Sequence, residues 1–311
     1  MKQTPILLLM YNRPEMARKL VSSLAQFKPA ILLFAVDGPK AGSSIDHNKV
    51  LASQRTVELV DWDCHIETRF QETNLGLRFA VADSVTWAVE KFGRVIVVED
   101  DVVVGPDFIP FMTSMLDLFS DNDHIAHING YNLVPARQLE NPSKQFRFSI
   151  YPESYAWGTW SDKWKLYDES LTWGTECRVG DLSSITGSRV SAIKWKLNFK
   201  DAKSERINTW AFRWLASMWS QKQLMVSPNR NLVTYTGQIS GTHTRRKTSW
   251  HEMPIEPLVG HQSELLSINM RSDRKADQWL AANIFKESFV GIAEGITVSI
   301  VLEAIKRLNR A

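Results

Sequence analysis

Three short apolar runs punctuate the first hundred residues: Ile6-Leu7-Leu8-Leu9-Met10, Ile31-Leu32-Leu33-Phe34-Ala35-Val36 and Val95-Ile96-Val97-Val98. None alternates with polar residues, which is the pattern of strands buried on both faces. Between them the period changes. From Pro14 to Leu24 the apolar residues Met16, Leu20, Val21 and Leu24 recur at helical spacing, with Asn12 as a cap and Pro14 near the first turn. Leu75 to Phe92 reads the same way, with Leu77, Val81, Val85, Trp87 and Ala88 on an inner face. Strand–helix–strand alternation of this kind predicts an α/β fold built of right-handed units around a mostly parallel sheet. Such sheets bind ligands at the carboxyl ends of their strands. Three polar clusters are expected on that edge: Tyr11-Asn12-Arg13-Pro14, Asp37-Gly38-Pro39 and Glu99-Asp100-Asp101.

Beyond Pro106 the regularity weakens. Phe108–Phe119 predicts a helix, Ile125–Gly130 and Phe146–Ile150 strands, Asn231–Tyr235 a further strand, and Ala281–Leu308 a helical tail with breaks at Gly291 and Gly295. Tryptophan separates the two halves: of twelve, eight lie between Trp157 and Trp219 and only Trp62 and Trp87 precede residue 150. Trp157, Trp160 and Trp164 follow helical spacing, as do Trp210 and Trp214, so most are expected to pack. One or two, Trp157 and Trp160 foremost, are expected to line a cleft, because aromatic faces stack on sugar rings.

A chain of 311 residues, 44% hydrophobic and 23% charged, can bury a sizeable core and is not of the disordered class. We expect residues 1–130 to form a ligand- and metal-binding half, 131–250 the other half of the same domain, and 251–311 a helical extension. Residues 1–150 hold 15 Lys and Arg against 18 Asp and Glu, while 151–311 hold 22 against 16. The basic excess is too diffuse for a nucleic-acid partner. Cys64 and Cys177 match no metal or disulfide pattern, which suits a reducing compartment. The apolar run at Ile6–Met10 is too short for a signal peptide or membrane span. A cytoplasmic location follows as the expectation. The tail, ending in Lys306, Arg307 and Arg310, either packs on the domain or lies peripherally on the inner membrane.

Glu99-Asp100-Asp101 carries the sharpest chemistry. Three carboxylates at the end of a buried strand repel one another and call for a cation. Oxygen-only ligands suit Mg2+ or Mn2+, held by one or two carboxylates and substrate phosphates. With Val97-Val98 before it and Pro106-Asp107-Phe108 after, the triplet resembles the acidic motif of GT-A glycosyltransferases, including the N-acetylglucosaminyltransferase that initiates complex N-glycans. Tyr11-Asn12-Arg13-Pro14, Asp37, Asn74-Leu75-Gly76-Leu77-Arg78, Trp157-Gly158-Thr159-Trp160 and Gly241-Thr242-His243-Thr244 follow the order seen in bacterial surface-polysaccharide sugar transferases, over roughly residues 4–250.

The resemblance implies a Rossmann-like GT-A sheet, a UDP-sugar or other nucleotide-diphosphate sugar as donor, and a glycan or lipid-linked acceptor. It implies that Asp101 ligates the metal while Glu99 and Asp100 contact ribose and donor sugar or orient metal-bound water. Asp37 would read the base, most simply a uracil N–H, and Arg13 would meet the diphosphate, a role that suits a cation placed at a helix N-terminus. Arg78 would position diphosphate or donor, with Tyr11, Asn12, Asn74 and Thr242 in the same nucleotide-sugar site. His243 would reach metal or phosphate, whereas His124 and His127 read as structural. Related enzymes place a base on a late Trp-flanked helix, where this chain has Ala211. Glu153 and Asp162 are the nearest candidate bases, with Glu205 behind them. Two other readings stay open: a nucleotidyltransferase, and a non-catalytic carbohydrate-binding protein.

Overall fold

The structure is a computed structural model and describes residues 3–236, 253–259 and 270–293. In chain order its strands are β1 (Ile6–Met10), β2 (Ile31–Val36), β3 (His65–Phe70), β4 (Arg94–Glu99), β5 (Val102–Val104), β6 (Ile125–Asn129), β7 (Phe146–Ser149), β8 (Ala156–Trp160), β9 (Leu224–Pro228) and β10 (Val233–Tyr235). The helices are α1 (Pro14–Leu24), α2 (Ser44–Gln54), α3 (Leu77–Phe92), α4 (Phe108–Leu118), α5 (Ser161–Trp164), α6 (Thr172–Glu176), α7 (Val179–Thr186), α8 (Arg189–Lys203), α9 (Ala211–Ser220) and α10 (Arg274–Asn283).

Eight strands form one sheet in the order β3-β2-β1-β4-β8-β6-β9-β7, and β5 pairs with β10 in a separate two-stranded ribbon. β3, β2, β1 and β4 run parallel, whereas β8 lies antiparallel between β4 and β6. The architecture is a mixed, mainly parallel, Rossmann-like α/β sheet flanked by helices. The chain winds outward from β1 to β2 and β3, then crosses to β4 on the other side. The order therefore reverses between β1 and β4, the switch point at which open α/β sheets leave a crevice beyond their strand ends.

The apolar runs form β1, β2 and β4 as their pattern predicts, because every residue from Ile6 to Met10, Leu32 to Val36 and Val95 to Val98 is buried. β3 is an edge strand of alternating, partly exposed residues, His65-Ile66-Glu67-Thr68-Arg69-Phe70, and carries no apolar run.

The tryptophan segment corrects the helical expectation. Trp157 and Trp160 lie on β8, a central strand covered on both faces, and only Trp164 falls on a helix. A three-residue spacing places the first two on opposite faces of that strand. Trp157 stacks on His127 with centroids 4.9 Å apart and on Trp210 at 5.1 Å, while Trp164 meets Trp214 at 4.9 Å. The Trp160 indole N–H donates to the Leu116 carbonyl at 3.0 Å and that of Trp214 to His127 Nδ1 at 3.1 Å. Such ring pairs contribute about 0.5–1.5 kcal/mol each beyond the area they bury. The cluster is thus the core beneath the second half of the sheet.

The C-terminal expectation is also revised. α10 ends at Asn283, and the chain turns through Ile284 to Ser288 before helical residues resume at 289; positions past 293, with Lys306, Arg307 and Arg310, lie outside the described residues. Buried carboxylates clamp this segment to the domain. Ser149 Oγ donates to Asp277 at 2.6 Å, and Tyr151 Oη and Trp195 Nε1 donate to Glu287 at 2.8 and 2.6 Å. Among the described residues no helix is long and apolar enough to cross a membrane.

Candidate active site

The polar clusters after β1, β2 and β4 meet around one cavity of about 330 Å³ at the switch point. Its walls include Tyr11, Arg13, Asp37, Lys40, Asn74, Glu99 and Asp100, over an apolar floor of Leu9, Met10, Ala35, Ala80 and Val81. Backbone register sets the arrangement. The Asp100 amide donates to the Leu9 carbonyl at 3.0 Å and the Asp37 amide to that of Met10 at 3.0 Å, so the three strand ends finish level. Asp101 is pinned from the other side, its carbonyl accepting from the Thr236 amide at 2.7 Å just past β10.

Arg13 supplies the counter-charge that the acidic triplet requires. Its Nη1 donates to Asp101 Oδ2 at 2.7 Å and its Nη2 lies 2.9 Å from Asp100 Oδ1. Burial of the guanidinium works to lower its pKa, but the charges of Asp100 and Asp101 outweigh this and raise it. One cation does not balance three carboxylates. Burial, then the charge of Asp101, holds Glu99 well above the usual carboxylate range, with Arg13 opposing. Burial, resisted by Arg13, pushes Asp100 up to about 7. Asp101 Oδ1 is buried and accepts no hydrogen bond, whereas Asp100 Oδ1, also buried, is met by the Arg13 guanidinium.

The open Asp101 oxygen tests the fit of a divalent ion. Among the described residues no three His, Cys, Asp or Glu side chains are grouped to hold a metal by themselves. Two neighbouring carboxylates, one with an unengaged oxygen and the other held by Arg13, are nevertheless a donor set on which Mg2+ or Mn2+ is held when substrate phosphates complete the shell. The residues present fit the group.

Asp37 departs from the expectation of a base reader. Its Oδ1 accepts from the amides of Gly38 and Leu75, both at 2.8 Å, and its Oδ2 from Asn74 Nδ2 and the Gly76 amide, both at 3.0 Å. A carboxylate has about four lone-pair sites, and all are engaged. Burial still raises its pKa, the three amides working against it. Asp37 and Asn74 together hold the turn that opens α3. That turn needs two glycines: Gly76 adopts φ +77°, and a Cβ on Gly38 would come within 2.3 Å of the Thr73 backbone.

Tyr11 and Asn12 face another carboxylate. Tyr11 Oη and Asn12 Nδ2 donate to Asp46 at 2.6 and 2.5 Å, and the Lys40 amide joins them at 2.7 Å. Asp46 was absent from the expected site, as was Asn208, which lines the cavity from the other half of the chain. The available signal for Asp46 was the spacing of a helix cap, Ser43 three residues before Asp46: Ser43 Oγ accepts from the Asp46 amide at 3.2 Å. Nothing local marks Asn208, since only the folded sheet brings residue 208 to strand ends from the first hundred positions.

Several expected residues stand elsewhere. Arg78 does not line the cavity; it is buried and spends its charge on Glu169 at 3.0 Å and Glu205 at 3.2 Å. Trp157 and Trp160 are core side chains with no face toward an acceptor, 0% and 4% exposed. Asp162 follows Trp160, which pairs with Arg94 at the amino end of β4, so it sits on the edge opposite the triplet. It pairs there with Lys163 at 2.8 Å. Glu153 precedes β8 and shares the triplet's edge, where the Glu99 amide donates to the Tyr155 carbonyl at 3.0 Å. Its carboxylate is buried, and that burial lifts it to about 8 against the pull of the Arg147 charge and the Leu133 amide. Ala211 opens α9 and offers no acid. His127 is structural as expected, its Nε2 3.0 Å from the Glu153 carbonyl. Thr242 and His243 lie outside the described residues.

No protein-family model and no curated protein matches the chain. Solved structures with partial likeness include a mannosyltransferase, PcManGT, from Pyrobaculum calidifontis in complex with GDP-Man and Mn2+, at 9% identity and TM-score 0.36, over 70% of this chain and 73% of that one. Mouse xyloside xylosyltransferase 1, in apo form, gives 13% identity and TM-score 0.34, over 69% and 81%. An apo UDP-glucose pyrophosphorylase gives 11% and 0.38, over 75% and 94%.

Proposed function

We propose that the protein is a metal-dependent glycosyltransferase of the GT-A type. It takes a nucleotide-diphosphate sugar, a UDP-sugar foremost, and transfers a hexosyl or N-acetylhexosaminyl group to a glycan or lipid-linked acceptor of bacterial surface polysaccharide. One observation carries the reading: Arg13, Glu99 and Asp100 line the switch-point cavity, and Arg13 ties to them Asp101, whose Oδ1 is buried and left open. Asp100 and Asp101 are the residues that would hold Mn2+ or Mg2+, which when bound neutralises charge on a departing nucleoside diphosphate. Arg13 offers a guanidinium fork to phosphate oxygens, and Lys40 brings a second cation to the same wall. The Asn74–Gly76 turn, fixed by Asp37, shapes the cavity's outer side, and the apolar floor excludes water.

Calorimetric titration of UDP with and without Mn2+, followed by nucleotide release from a panel of nucleotide sugars, tests the proposal. We expect Mn2+-dependent UDP binding and release of one nucleotide from one donor. Pyrophosphate release from a nucleoside triphosphate would instead mark a nucleotidyltransferase. Glycan binding without nucleotide release would mark a carbohydrate-binding protein, a reading to which the buried tryptophans lend no exposed ring.

A further inference from the structure

Arg13 occupies the place where a divalent ion would be held. Its guanidinium is the positive charge against Asp101 Oδ2 at 2.7 Å and Asp100 Oδ1 at 2.9 Å, and its side chain is 35% exposed while those of the two aspartates are 2% and 5%. A cation that is one-third exposed on a flexible stem can leave; carboxylates fixed by strand register cannot. Three acidic side chains gathered at the end of β4 are costly without a counter-charge. Whatever cation leaves must therefore be replaced in the same event. Arg13 and Lys40 line the same cavity, so an anion held there could meet both cations.

We propose that Arg13 is an exchangeable counter-cation: it holds the Asp100–Asp101 pair in the metal-free protein, yields both carboxylates to a divalent ion, and turns its guanidinium to the phosphates that arrive with it. The second half rests on the nucleotide-sugar reading; the first does not. Two consequences of opposite sign follow. Removing Arg13 deletes the metal's competitor, so it tightens metal binding in the absence of nucleotide. The same substitution removes a phosphate partner and weakens nucleotide binding once metal is present. A guanidinium serving only as a structural pair would give loss in both.

The test uses the full chain and Mn2+ alone, reading free Mn2+ by its paramagnetic resonance signal, with folding checked by circular dichroism. Arg13→Gln is expected to bind Mn2+ about tenfold or more tightly than the wild type, since an ion pair no longer has to break. Lys40→Gln removes a cation of the same wall that makes no contact with the pair, and is expected to shift Mn2+ affinity by less than about threefold. Arg13→Gln/Asp101→Asn is expected to lose the gain. Equal or weaker Mn2+ binding by Arg13→Gln, or an equal gain in Lys40→Gln, overturns the exchange. Should Arg13→Gln fold poorly, Arg13→Lys retains charge while losing the two-pronged contact, and an intermediate gain is expected. UDP added with Mn2+ is then expected to bind Arg13→Gln more weakly than the wild type. Tighter Mn2+ binding with no UDP binding to any variant would leave the exchange standing and remove the nucleotide-sugar reading instead.

Discussion

At the end of β2, Asp37 receives four hydrogen bonds, three of them from a turn it holds in place; at the end of β4, Asp100 and Asp101 share one guanidinium, and Asp101 Oδ1 is buried without a hydrogen bond. Both corners border the same cavity, and both sit at the end of an apolar parallel strand. The difference is in what surrounds them. β2 ends against three backbone amides and the Asn74 side chain, which together satisfy a carboxylate fully and make it part of the wall. β4 ends against side chains that are themselves acidic, so its carboxylates stay under-satisfied and available. A saturated acid shapes a site, whereas an unsaturated one can hold something in it.

The largest expected effect lies at the second corner. Asp101→Ala should abolish the gain that Mn2+ gives to UDP affinity, a loss of at least about 100-fold, as removal of metal ligation generally costs more than loss of its outer supports. Calorimetry with and without Mn2+ reads it directly. If Asp101→Ala retained the metal-dependent gain, the contrast between the corners would be gone.

The second expectation sets the corners against each other in the unliganded protein. Asp37→Asn strands two donors, the Gly76 amide and Asn74 Nδ2 or their equivalents, against an amide NH2, and should destabilise the fold by about 2 kcal/mol. Asp100→Asn removes one of three crowded carboxyl groups and should raise the melting temperature without metal. Thermal unfolding of both variants decides the point. A fall in both would mean that the triplet, too, is a structural network.

The same contrast explains how far the sequence could be read. β1, β2 and β4 were legible because strands buried on both faces leave uninterrupted apolar runs, and the edge carrying Arg13, Asp37 and Glu99–Asp101 followed from their ends. Strand β8 was not, since Trp157 and Trp160 at a three-residue spacing suit a helix as well as opposite faces of a covered strand. Edge strand β3, with His65, Glu67 and Arg69, carries no apolar run to find. At the site, residue types were visible but their wiring was not. That Asp37 would be engaged by amides from residues 75 and 76 depends on loops meeting in space, as does the approach of Asn208 to the cavity.

Glu153 extends the comparison to a carboxylate that is buried like Asp37 but has nothing comparable to receive. Its raised value, about 8, means that the folded protein keeps a proton that the unfolded chain releases near pH 4.5. Stability from this group is complete at low pH and falls as pH rises, with a slope of about 1.4 kcal/mol per pH unit, levelling above pH 8. His127, lowered by burial to about 3, works in the opposite sense: its contribution is present above 6.5 and is lost as pH falls toward 3. Denaturant unfolding of Glu153→Gln beside the wild type isolates the first term, and the variant's advantage should grow from pH 5 to 8. A difference that does not change with pH would show that Glu153 is ionised in the folded protein.

The smallest expected effect is the most specific to Asp37. If its carboxylate read the base, it would accept the N3–H of uracil, and a methyl group there would remove that bond and collide with the acceptor. With both oxygens committed to Gly38, Asn74, Leu75 and Gly76, no acceptor remains for the base. Given a site that binds UDP, N3-methyl-UDP should bind the wild type within about twofold of UDP, far short of what a lost hydrogen bond to a charged group costs. Asp37→Asn should then weaken both nucleotides by the same factor, because it loosens the Asn74–Gly76 turn that both must pack against. Exchange of the Leu75 and Gly76 amides, slow in the wild type and fast in Asp37→Asn, reports on that turn with no nucleotide present. A tenfold preference for UDP over its methylated form would require Asp37 to release the turn on binding, and the two acidic corners would then differ only in the resting protein.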